Sequence, residues 1–82
     1  MIPQYTINAI NNYVENGIIP GGFLKAVLTN DLFGALAHAD SSNKEALSEI
    51  CQYIYNEIPA NCWGSKEILL KYSKSKLVDN VS

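Results

Sequence analysis

Trp63 is the side chain best suited to recognition by type and position. It stands in the run Asn61-Cys62-Trp63-Gly64-Ser65-Lys66, and an indole in a loop can stack on a nucleobase for about 1–3 kcal/mol. The competing reading is structural, with the indole filling the gap between the two helices that flank the loop. Just after it, Gly64 and Ser65 lead into a helix with Lys66 beside them. A similar arrangement occurs earlier, where Gly21 and Gly22 lead into a helix and Lys25 follows one turn in. Free amides at a helix start, together with the helix dipole, attract phosphate. Neither spacing is that of a Walker loop or a dinucleotide fingerprint, and glycine before a helix is also ordinary turn chemistry. The candidate ligand-binding set is therefore Gly21, Gly22, Lys25, Trp63, Gly64, Ser65 and Lys66.

Catalytic chemistry has far less to draw on. The chain has one histidine, His38, and two cysteines, Cys51 and Cys62. A Cys–His nucleophilic pair would need the fold to bring them together, since nothing local does. Three such residues fall short of the four ligands that a structural zinc site takes. The expectation is a non-enzymatic protein with no catalytic residue, metal or cofactor. Cys51 falls on the apolar stripe of a predicted helix and should pack as a small hydrophobe, whereas Cys62, in a loop, should be the accessible thiol. No arginine is present, which removes the common bidentate contact to guanine and argues against sequence-specific nucleic-acid binding. Residues 1–65 carry two lysines against six acids, a balance of −4; residues 66–82 carry four lysines against two acids, a balance of +2.

These residues must be positioned by helices. The first is predicted over residues 6–16, where Ile7, Ile10, Tyr13 and Val14 recur at helical spacing, with Thr6 as N-cap and Gly17 as left-handed terminator. Ile18 would then fold back on Tyr13. Ile19-Pro20-Gly21-Gly22 is a turn. A second helix over 22–29 is apolar almost all round and should be central. Asn30-Asp31 either caps a third helix over 31–39 or bends one continuous helix. Gly34 among Ala35, Ala37 and Ala39 suggests a close approach between helices. Ser42-Asn43-Lys44-Glu45 reads as a capping box, opening a helix whose stripe is Leu47, Ile50, Cys51, Ile54 and Ile58. Pro59 stops it, and Ser65 caps a last helix from Lys66 to Ser73 or beyond, with Ile68, Leu69 and Tyr72 inward.

The expected fold is all-α, a single domain over residues 1–82 of four to five short helices, with 74–82 a frayed tail. With 48% hydrophobic residues the chain is not disordered. At 82 residues it buries only about 60% of its unfolded surface, so self-association into a homo-oligomer is expected to supplement the core. No apolar run approaches the roughly 18 residues of a membrane span, and no export signal is visible; a reducing cytoplasm and no membrane partner are expected.

Several segments resemble a family of small, mostly uncharacterised phage and prophage proteins. They are Asn12-Tyr13-Val14-Glu15-Asn16-Gly17, the stretch from Pro20-Gly21-Gly22-Phe23-Leu24-Lys25 to Asn30-Asp31-Leu32, Ala39-Asp40, Tyr55-Asn56-Glu57, and Pro59-Ala60-Asn61-Cys62-Trp63-Gly64-Ser65-Lys66-Glu67. Together they span about three quarters of the chain. The resemblance carries no catalytic or binding residues with it. What it implies is a setting in the host cytoplasm and a counter-defence role. That role takes one of two forms: sequestering a nucleotide-derived immune signal as a sponge, or occupying the surface of a host defence protein. The glycine-led helix starts, the lysines and Trp63 favour the sponge. The acidic body and the tyrosines at 53 and 55, on opposite sides of their helix, favour the protein inhibitor.

Overall fold

Gly17, Asp31, Asp40 and Ser65 set where the helices begin and end in this computed structural model, which describes residues 1–81. The helices are α1 (Gln4–Asn16), α2 (Gly22–Leu28), α3 (Leu32–His38), α4 (Ser41–Glu45), α5 (Leu47–Glu57) and α6 (Lys66–Val81), with a single 3-10 turn at Ala60–Cys62 before α6. Among the described residues there is no strand, so the fold is all-α, with six helices rather than four or five. Helix α6 takes in most of the segment read as a tail.

The local signals that carry their own geometry are realised. Gly17 ends α1 at φ 76° with its amide donating to the Tyr13 carbonyl. The Asp31 carboxylate accepts from the Gly34 amide at 3.0 Å and starts α3. The Ser65 hydroxyl accepts from the Ile68 amide at 3.1 Å and starts α6. Thr29, Asn30 and Asp31 separate α2 from α3, and Asn30 turns the chain in the left-handed region at φ 64°. Asparagine tolerates that region better than most side chains. These are therefore two helices, not one bent helix.

Other expectations are corrected. Thr6 is not a cap: α1 begins two residues earlier behind Pro3, and Thr6 is buried, donating its hydroxyl to Asn43 Oδ1 at 2.6 Å. Nor does Ser42 cap. Asp40 does, accepting from the Asn43 amide at 2.8 Å, because the Tyr5 hydroxyl donates to the same carboxylate and holds it in place. These two hydrogen bonds, the tyrosine's first, keep the Asp40 carboxyl below its ordinary range. The cap's contribution is thus present above the usual carboxylate pKa and is lost as pH falls through the lowered one. Asp40→Asn should flatten that acid limb in urea unfolding followed against pH; an unchanged limb would disprove the assignment. Ile18 stays half exposed, and Tyr72 meets Tyr13 instead, ring centroids 5.4 Å apart.

Gly34 has a different purpose from the one its alanine neighbours suggest. A Cβ there would lie 2.2 Å from Asp31 Oδ2, so glycine leaves room for the cap of its own helix. Helix propensity alone favours Gly34→Ala by up to about 1 kcal/mol, but displacing the Asp31 carboxylate removes a cap worth about 1 kcal/mol. The expected gain is therefore abolished in the wild-type background and restored when Asp31 is already alanine. A double-mutant cycle with no coupling would sink this reading.

The core is drawn from every part of the chain. Ile10 and Tyr13 of α1, Phe23, Leu24, Ala26 and Leu28 of α2, Ala35, Ala46, Ile50, Ile54, Ile58, Cys62 and Leu69 are buried. Helix α2 is central, as its all-round apolar surface requires. Ile50 and Ile54 are core, but Leu47 is only half buried and Cys51 is exposed. The two cysteines thus exchange the environments expected of them, with Cys62 fully buried. In α6, Leu69 and Ser73 are buried and Ile68 is exposed at its edge.

Candidate functional site

The residues expected to hold a phosphate are placed at two ends of α2. Gly21 and Gly22 open that helix and line a shallow cavity of about 290 Å³ with Tyr5, Ala9, Phe23, His38 and Asn43. The His38 ring lies 3.3 Å from where a Gly22 Cβ would stand. Lys25 is exposed one turn in. At the other end, the Gly64 amide donates to the Leu28 carbonyl at 2.7 Å, pinning the start of α6 to the end of α2. Six residues at 1.5 Å each separate Gly22 from Leu28 by about 9 Å. One phosphate cannot engage both Gly21–Gly22 and Gly64–Ser65. At α6, moreover, the Gly64 amide and the Ile68 amide (taken by Ser65) already have partners within the chain. Lys66 is exposed beside them.

Trp63 is half buried. Its indole N–H donates to the Ile58 carbonyl at 3.1 Å, which ties the loop to the end of α5, and its ring lies 5.8 Å from that of Tyr55 at 51°. The indole therefore has the structural part expected of it in the loop, yet it also borders open space. That space belongs to a different feature, which sequence reasoning did not identify.

A groove runs between α5 and the turn that joins α2 to α3. Leu47, Cys51 and Tyr55, four residues apart, form one row along α5. Val27, Asn30, Asp31 and Leu32 face it. Two cavities, of about 70 and 180 Å³, share Val27, Asn30 and Cys51. The first reaches Asp31, Leu32, Ala35 and Leu47, and the second reaches Ile54, Tyr55 and Trp63. The row from Leu47 to Tyr55 is about 12 Å long at 1.5 Å per residue. Large apolar side chains stand exposed along its borders: Leu32 at 58%, Tyr55 at 73% and, next to Leu32, Phe33 at 82%. Asp31 contributes the one charge among the groove-lining residues. Cys51 lies at its centre, and shielding by the groove walls pushes its thiol pKa up. The signal available in the sequence was the pair Leu32-Phe33 directly after a capping aspartate. Helix α3 packs inward through Ala35 and leaves both exposed.

The remaining titratable groups are dispersed. His38 is exposed on α3 and adjoins Gly22. Cys62 is enclosed in the core, where burial pushes its thiol up against the opposing influence of the nearby Tyr72 hydroxyl and the Lys76 charge. Among the described residues no group of three or more His, Cys, Asp and Glu comes together, and no helix is long and apolar enough to cross a membrane. No protein-family model, curated protein or solved structure matches the chain.

Proposed function

We propose that this chain is a small protein-binding module that takes an apolar segment of another protein into the α5 groove. The observation that carries this reading is the groove itself, two cavities sharing Val27, Asn30 and Cys51, with Leu32 and Tyr55 exposed in its walls and Phe33 exposed beside Leu32. Clustered exposed apolar side chains beside a polar rim mark interaction surfaces, and aromatic residues are enriched at their centres. The resemblance to small phage proteins makes the partner a host protein, which the chain would block by covering its surface. Nucleotide sequestration is the second reading. It retains Trp63 and the Gly21–Gly22 cavity but draws no support from the committed amides at Gly64 and Ile68.

Leu32→Asp places a charge on the groove wall without touching the core. The expected result is that a single host protein co-purifies stoichiometrically with the wild type and is lost from the variant, while circular dichroism stays unchanged. Mass spectrometry of small molecules released by denaturation serves the alternative. A nucleotide recovered in equal amount from both proteins, with no protein partner, would replace the inhibitor reading by the sponge. Light scattering covers the case of self-association. A mass near twice 9.0 kDa that falls to the monomer in Leu32→Asp would make a second copy the occupant and the protein a homo-oligomer.

A further inference from the structure

We infer that the Tyr55–Trp63 end of the groove is a receptor for a cationic side chain, an arginine or lysine carried by the docked segment. The inference rests on the protein-binding reading and names the chemistry of one contact within it. The 180 Å³ cavity at this end is lined by Val27, Asn30, Cys51, Ile54, Tyr55 and Trp63, none of which is basic. Two aromatic rings at 51° form a corner of it. The indole N–H is turned to the Ile58 carbonyl, so the donor that would repel a cation is already occupied inside the chain. Aromatic π-faces attract guanidinium and ammonium groups within about 6 Å.

The surroundings have the same sign. Tyr55 lies in the last turn of α5, where no basic residue is present and the carbonyl end of the helix is negative. Asp31, the one charged residue lining the groove, is acidic and stands at its far end. Lys66 and Glu67, which follow Trp63 in sequence, offset one another. Residues 1–65 as a whole carry −4, which favours the approach of a basic segment over an acidic one. An apolar segment with arginine or lysine at one end satisfies both halves of the groove.

Trp63 is the only tryptophan in the chain, so its fluorescence reports on this corner alone. The probe is N-acetylarginine amide, with the uncharged N-acetylcitrulline amide as isostere, each titrated at constant ionic strength. The expected result is a saturable change in the millimolar range with the arginine compound and none with citrulline. Tyr55→Ala should weaken the arginine response about two- to fivefold, and Tyr55→Phe should preserve it, as expected for an exposed cation–π contact. Leu32→Asp, at the other end, should leave it intact. Equal responses to arginine and citrulline, or an unchanged affinity in Tyr55→Ala, would overturn the cation receptor. A host partner still retained by Tyr55→Ala would overturn it too, leaving the groove reading in place. Arginine binding with no protein partner in any preparation would reject the groove reading and keep the cation site.

Discussion

Replacing Tyr13 with alanine is expected to lower the free energy of unfolding by about 3–5 kcal/mol. A domain of this length has roughly 0.05–0.15 kcal/mol of stability per residue, so that loss is a large fraction of the total and the variant should be partly unfolded at 37 °C. Tyr13 has no exposed surface. It meets Tyr72 of α6 edge to face, and its hydroxyl donates to the Cys62 carbonyl at 2.7 Å, so one side chain joins α1, the 3-10 turn and α6. Tyr13→Phe separates the packing from the hydrogen bond. It keeps the ring and leaves a buried carbonyl unsatisfied, at about 1–3 kcal/mol. Urea unfolding of the two variants measures both contributions, and a cost below about 1 kcal/mol for the alanine would show that Tyr13 is not the junction. The same phenols govern the alkaline limb. Burial holds both Tyr13 and Tyr72 above the ordinary tyrosine range, Tyr72 at about 12. A raised folded-state pKa means stability is intact below about 10, the unfolded value, and declines as pH rises toward the folded ones. Tyr72→Phe should make that decline shallower.

Gly17→Ala is expected to cost about 3 kcal/mol, from two sources that act together. The residue sits at φ 76°, where an L side chain strains the backbone by about 1–2 kcal/mol. Its Cβ would also stand 2.7 Å from the Lys76 Cβ and 2.8 Å from the Ser73 carbonyl oxygen. Part of that obstruction is backbone, so α6 must shift to admit it, and overpacking of this kind costs about 1–3 kcal/mol. The shift would also disturb the Ser73 hydroxyl, which donates to the Gly17 carbonyl at 2.6 Å. For a domain this small, each kcal/mol lowers Tm by about 4–8 °C, which places the expected drop well within reach of a thermal melt. Gly17→Asn distinguishes the sources, because asparagine tolerates the left-handed region but brings the same Cβ. A drop equal to that of alanine assigns the cost to the contact with α6; a much smaller one assigns it to the backbone.

The features written in the sequence are those that depend on a few neighbouring residues. Gly17 as terminator, Asp31 and Ser65 as caps, and Pro59 as a stop act over one turn, so residue type is enough to read them. Ile10, Ile50, Ile54 and Leu69 lie at the centres of their apolar stripes and stay in the core under any modest rotation of the helix. Residues at the margin of a stripe do not have that security. Leu47 and Cys51 lie one row away from Ile50 and Ile54, and whether that row is covered depends on where the α2–α3 turn comes to rest. It leaves them lining a groove. Cys62 took the opposite course because Tyr13 and α6 close over its loop. Competition between local motifs was also decided at a distance. Asp40 displaced Ser42 as the cap of α4 through a hydroxyl on α1, and the Gly64 amide was lost to a ligand because the end of α2 reached it first. The groove itself draws Val27, Asn30, Leu32, Cys51, Tyr55 and Trp63 from five separate segments, and no periodicity within any one of them records that they meet.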